Sequence, residues 1–198
     1  QRDPSLSCCA DSDLASATLP KATADEAAAN PPDRASSRSQ LGYVISIAHG
    51  CLHGSSARQQ SVALDTPAAE AQAASVAASH LLHITGVLRF VSFGILGHDP
   101  VTLWCDNEVT VMVSKDASPM KRLAYVARRV RLLQELDARN IIRLRHVPGT
   151  ANPADALTKH LRRLEYQEYM RVLYNCTRDA LRAGKRPRYA SARGGVTP

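Results

Sequence analysis

VTLWCD, residues 101–106, is an apolar run that stops in an acid; HVPGTANPADALTK, residues 146–159, joins a strand end and a Pro-Gly turn to a helix start holding another acid. Apolar residues ending abruptly predict a buried strand over PVTLWCD, and IIRLRHV predicts a second, followed by the turn PGTANP. In an α/β protein the ends of such strands gather on one edge of the sheet, where ligands bind. Asp106 and Asp155 therefore stand where a chain places chemistry rather than packing.

Outward from these blocks, SLSCCADSD predicts a strand over Leu6–Ala10 that stops in acids. LGYVISIAHGCLHG followed by RQQSVALD predicts an antiparallel pair of strands around a Gly/His/Ser turn. Thr66 is suited to cap a helix and Pro67 to open it, and the Ala-rich stretch to about Phe90 repeats apolar residues at Ala73, Ala77, Leu81, Ile84 and Leu88. NEVTVMVSKD predicts a short helix. MKRLAYVARRVRLLQELDAR predicts an amphipathic one, with Leu123, Val126, Val130, Leu133 and Leu136 or Asp137 on one side and Lys121, Arg122, Arg128, Arg129 and Arg139 on the other. ADALTKHLRRLEYQEYM predicts a final helix. The order β, β, β, α, β, α, α, β, α implies an α/β fold: a five-stranded mixed sheet flanked by helices.

The 198 residues suffice for one domain that buries roughly 70% of its unfolded surface. We expect that domain over residues 1–165, with a flexible insertion at 16–40 rich in Ala, Ser, Pro and Asp. A basic, largely disordered extension is expected over 166–198. No apolar run approaches the ~20 residues of a membrane span and no signal segment is recognisable, so no membrane partner is expected and the location reads as intracellular, cytoplasm or nucleus. Gln1 in place of an initiator Met suggests a piece of a longer chain. Five cysteines without C-x-x-C spacing indicate neither a disulfide framework nor a zinc site. Residues 1–100 hold 6 Lys/Arg against 9 Asp/Glu, while residues 101–198 hold 19 against 9. Such a basic half suits a polyanionic partner.

Four acids fall at element ends. Asp11 closes the first strand, Asp106 the fourth, Glu70 sits on the first turn of the long helix and Asp155 on the first turn of the last. If strands one and four are neighbours, Asp11 and Asp106 become adjacent and the other two face them. Each acid also has a plainer role, in a strand end, a cap or a helix dipole. Four clustered carboxylates repel unless cations neutralise them, and oxygen ligands alone select Mg²⁺ or Mn²⁺. Two such ions suit phosphodiester hydrolysis.

The blocks DSDLA, SRSQLGYV, RQQSVALDTPAAEA, LWCDNEV and HVPGTANPADALTK resemble, in order and spacing over roughly residues 6–163, the ribonuclease H domain of copia-type LTR retrotransposon polyproteins. The resemblance implies a ribonuclease H-like fold and metal-binding, catalytic acids at Asp11, Glu70, Asp106 and Asp155. It implies two Mg²⁺ ions, replaceable by Mn²⁺, and cleavage of the RNA strand of an RNA/DNA hybrid by a domain fused to or associated with a reverse transcriptase. Lys121, Arg122, Arg128, Arg129, Lys159 and Arg162 are the basic residues placed to grip nucleic acid. Leu14 stands where the family tends to have an aromatic, Ala71 where it tends to have Tyr, and HGSSA where it commonly has Trp and several Lys. These departures leave a second expectation: a diverged, catalytically weak or inactive module that binds nucleic acid.

Overall fold

The structure is a computed structural model that describes residues 6–14, 38–47, 50–91, 98–115, 124–159, 161, 166 and 169. The flexible insertion expected at 16–40 and the extension expected at 166–198 fall almost wholly outside the described residues, as do Lys121, Arg122 and Arg162.

Five strands form one mixed sheet in the order β3-β2-β1-β4-β5. They are β1 (Leu6–Asp13), β2 (Gln40–Ile47), β3 (Gly50–Arg58), β4 (Val101–Cys105) and β5 (Ile142–His146). β1, in the middle, pairs antiparallel with β2, setting Asp11 opposite Gly42, and parallel with β4, setting Ala10 opposite Cys105. β4 runs parallel to β5, with Cys105 opposite His146. The parallel pairing of β1 and β4 brings the chain segments carrying Asp11 and Asp106 to the same edge.

Among the described residues the α-helices with defined bounds are α1 (Thr66–Val91), α2 (Glu108–Lys115), α3 (Ala127–Ala138) and the single turn α4 (Asp155–Thr158). The small side chains of α1 let it lie close to the strands: Ala73, Ala74, Ala77 and Ala78 are buried with Leu81 against Cys8, Ala10, Tyr43, Ile45 and Leu103. Leu133 and Leu136 of α3 join the same core with Ile142 and Leu144 of β5. Each fully buried Leu of this kind is worth about 1.5–3 kcal/mol. Val126 and Val130 pack instead with Ala68, Ala71 and Val113, so the apolar side expected for this helix is buried wherever it is described.

Several element boundaries differ from expectation. The second hairpin strand is β3 itself, and residues 59–65 lead into α1 rather than extending the sheet. β3 is exposed along most of its length, so its Gly, Ser and His residues carry no apolar alternation, and the strand reads as a loop. β1 continues past Asp11 to Asp13. The cap of α1 is Asp65, whose Oδ1 accepts the N–H of Ala68 at 2.9 Å, rather than Thr66. The helix expected over ADALTKHLRRLEYQEYM is interrupted: α4 stops at Thr158 and Lys159 has extended backbone, φ −108° and ψ 148°, while Tyr166 and Tyr169 are helical again. Finally, α1 is long and apolar enough by length and composition to cross a membrane. His, Ser and Gln interrupt its apolar residues, so no unbroken run marks it, and in the fold its first half is buried against the sheet.

Candidate active site

The central strand delivers Asp11, which is fully buried. One of its oxygens accepts the hydroxyl of Thr158, and the other lies 3.4 Å from the Lys159 ammonium. Glu70 lies in the second turn of α1 rather than the first, because the helix begins four residues earlier at Thr66. Its Oε1 accepts the backbone N–H of Ser12 at 3.0 Å and its Oε2 accepts the Cys105 thiol at 3.7 Å. Asp106 follows the last residue of β4, and Asp155 opens α4 with its carboxylate 2.9 Å from Lys159.

The four acids meet in two overlapping groups. Ligand atoms of Asp11, Asp106 and Asp155 lie within 4.8 Å of one another, and so do those of Glu70, Cys105 and Asp106. Asp106 is common to both. The plainer roles open to Asp11, Glu70 and Asp106 are filled by other residues or fail on geometry, while Asp155 does stand in the first turn of α4, where an acid suits the helix dipole. Asn107, not Asp106, caps α2 by accepting the N–H of Thr110 at 3.0 Å. α4 has no side-chain cap, and the Asp155 carboxylate turns to Lys159 instead. Glu70 sits past the first turn of α1, and Asp11 lies inside its strand.

The electrostatics follow from burial. Glu70 is pushed up to about 9 from 4.5, first by loss of water and then by the charges of Asp11 and Asp106, against the opposing N–H of Ser12 and the charge of Lys159. Burial and the neighbouring Asp11 raise Asp155 to about 7, and the same two causes raise Asp106. For Lys159 burial works against the charged form, but Asp11, Asp155 and Asp106 outweigh it and its pKa rises. The donor set fits hard divalent cations: carboxylate oxygens crowded together, most of them buried, are stabilised by a compact positive charge. Cys105 is the one soft donor beside them, and burial followed by the charge of Glu70 holds its thiol well above the ordinary range.

Residues without an assigned role at the level of sequence hold this arrangement together. Asn152, fully buried, donates from Nδ2 to the carbonyl of Ala10 at 2.9 Å and accepts the N–H of Ala154 at 3.1 Å, fastening the PGTANP turn to β1. Gly42 permits α4 to rest on β2, since a Cβ there would stand 2.8 Å from both Leu157 Cβ and Thr158 Cγ2. Gln59 donates to Ser12 Oγ at 3.0 Å and to the carbonyl of Ala69 at 2.8 Å, tying β1 to the start of α1. The Asn-Pro pair within the turn was the available signal for Asn152.

Of the basic residues, Lys159 stands among the acids. Arg128 is exposed on α3, and Arg129 is half-buried, donating to Ser75 Oγ of α1 at 3.2 Å. His146, exposed at the end of β5, has Nε2 3.2 Å from the carbonyl oxygen of Asp106.

Sheet order and the acidic edge together define a ribonuclease H-like fold. In sequence, the chain is similar to the retrovirus-related Pol polyprotein from transposon RE2 of Arabidopsis thaliana, 28% identical over 133 residues, 67% of this chain and 9% of that protein. It is similar also to the corresponding polyprotein from transposon TNT 1-94 of Nicotiana tabacum, 25% identical over 130 residues, 66% of this chain and 10% of that protein. The chain thus spans about a tenth of the curated relatives it matches. Among solved structures, the N-terminal RNase H domain of rv2228c from Mycobacterium tuberculosis aligns with 85% of this chain and 97% of its own, at 15% identity and a TM-score of 0.49. LC11-RNase H1 in complex with an RNA/DNA hybrid aligns with 77% of this chain and 93% of its own, at 18% identity and a TM-score of 0.42. These superpositions are loose, and strand order and register carry the fold assignment. No family model matches the chain.

Proposed function

We propose that this chain is a metal-dependent endoribonuclease that cleaves the RNA strand of RNA/DNA hybrids as part of a retrotransposon polyprotein. The observation that carries the proposal is the pair of acidic groups sharing Asp106. Asp11, Asp106 and Asp155 would hold one Mg²⁺, and Glu70 with Asp106 a second, Mn²⁺ replacing either. Bound there, such a pair supplies an activated water and steadies the leaving oxygen.

The chain's own residues fix the frame. Ser12 aims Glu70 through its N–H, Thr158 aims Asp11 through its hydroxyl, and Asn152 holds the turn that presents Asp155. A hybrid is the fitting substrate because only RNA offers a 2′-hydroxyl, while the DNA partner can be gripped through its phosphates. Arg128 and the basic second half of the chain supply the positive charge for that grip. The transposon Pol polyproteins that the chain resembles support a setting beside a reverse transcriptase.

The test is a hybrid carrying a labelled RNA strand. Mg²⁺-dependent cleavage is expected from the wild-type chain, with loss of at least about 100-fold in Asp106→Asn, because the substitution removes a carboxylate shared by both groups. Equal cleavage by the variant refutes the assignment. Salt-dependent binding of the hybrid without product in either Mg²⁺ or Mn²⁺ would favour the non-catalytic binding module instead.

A further inference from the structure

Lys159 sits among the carboxylates that the metal-dependent reading assigns to a cation. Its Nζ lies 2.9 Å from Asp155 Oδ1, 3.4 Å from Asp11 Oδ1 and 4.0 Å from Asp106 Oδ2. These are the three carboxylates whose oxygens converge within 4.8 Å. Among the described ion pairs, Lys159 is the partner of all three, and no other base reaches them.

The backbone explains how a lysine comes to be there. α4 ends at Thr158 and the chain turns extended at Lys159, so the residue is presented beside Asp11 rather than along a continuing helix. The close approach of α4 to Gly42 fixes that position. The side chain nevertheless keeps a way out: it is 36% exposed, whereas Asp11 is 0% exposed. An ammonium on four flexible carbons can leave without disturbing the sheet.

We propose that Lys159 is an internal counter-ion, which occupies the Asp11–Asp106–Asp155 position in the metal-free protein and swings outward when a divalent ion enters. This rests on the metal-dependent reading above. Lys159 then keeps the carboxylates together before metal arrives, and it competes with the metal for them. Metal and ammonium cannot both lie within 3 to 4 Å of the same oxygens without repelling each other. Binding of one therefore weakens binding of the other by an equal factor.

The experiment is calorimetric titration of Mn²⁺ into metal-stripped wild type, Lys159→Met and Lys159→Arg. The uncharged methionine variant is expected to bind Mn²⁺ about tenfold more tightly, within the roughly 5- to 150-fold range of coupled sites. The arginine variant, which keeps the charge, is expected to show no tightening. Equal or weaker binding by Lys159→Met overturns the proposal. If neither wild type nor variant binds Mn²⁺, the metal-dependent reading itself fails. A second measurement uses the wild-type chain with its lysines ¹³C-dimethylated, the Lys159 resonance being identified by its loss in Lys159→Arg. Addition of Mg²⁺ is expected to move that resonance to the position of solvent-exposed lysines. A resonance that stays fixed while Mg²⁺ binds overturns the displacement.

Discussion

Glu70→Gln is expected to make the metal-free protein more stable while removing its chemistry. The carboxyl of Glu70 titrates at about 9 in the fold against an ordinary 4.5, so the folded chain holds a proton that the unfolded chain releases. Its contribution is therefore fully present below about pH 4.5 and is lost as pH rises toward 9. At pH 8, about 3.5 pH units above the ordinary value, the full penalty is roughly 5 kcal/mol. Relaxation and water entry reduce such penalties, leaving about 2–3 kcal/mol. Glutamine keeps the shape and an oxygen for the Ser12 N–H without the charge. Thermal denaturation in EDTA is thus expected to show a Tm roughly 4–12 °C higher for the variant at pH 8, shrinking toward zero near pH 4.5. Asp155, raised to about 7, gives wild type a weaker dependence of the same sign. Excess Mn²⁺ is expected to narrow the gap at pH 8 by stabilising wild type more than the variant. A variant no more stable than wild type at pH 8, or equally stabilised at both pH values, refutes the account of Glu70 as a strained acid.

Two further substitutions probe the frame around the acids. Gly42→Ala puts a methyl group 2.8 Å from Leu157 Cβ and Thr158 Cγ2, so α4 has to lift; a loss of about 1–3 kcal/mol in chemical denaturation and weaker Mn²⁺ binding are expected. Wild-type values of both would show that α4 docks without this close contact. Asn152→Ala leaves the Ala10 carbonyl and the Ala154 N–H without their partner at a fully buried position, for an expected loss of about 1–3 kcal/mol. Hydrogen exchange is expected to quicken at Ala154 in that variant, and unchanged exchange would argue that the turn holds itself.

Four of the five strands were legible in the sequence because their apolar patterns are strong, and the adjacency of the first and fourth, which the sequence offered only as a condition, is what brings Asp11 and Asp106 to one edge. Elements whose pattern is weak were misread. β3 is an exposed edge strand of Gly, Ser and His, so alternation is absent and RQQSVALD, with its apolar Val62 and Leu64, looked more strand-like. The final helix kept its periodic look past Thr158 although the chain turns there into extended backbone at Lys159. The contacts that aim the carboxylates were hidden for a different reason. Asn152, Gln59 and Thr158 act on partners far along the chain, and no local spacing announces a hydrogen bond to Ala10, Ser12 or Asp11. Nothing in ADALTK signalled that the Lys159 ammonium lies beside three of the acids.

The hydroxyl that steadies Asp11 arrives 147 residues later, on Thr158. During synthesis the innermost strand must therefore wait for Thr158 to emerge before its acid acquires that partner. Contacts so distant along the chain favour slow closure. A nascent chain halted before the HVPGTANPADALTK block would hold Asp11 without Thr158 and Lys159, so the surroundings of this acid are completed late in folding.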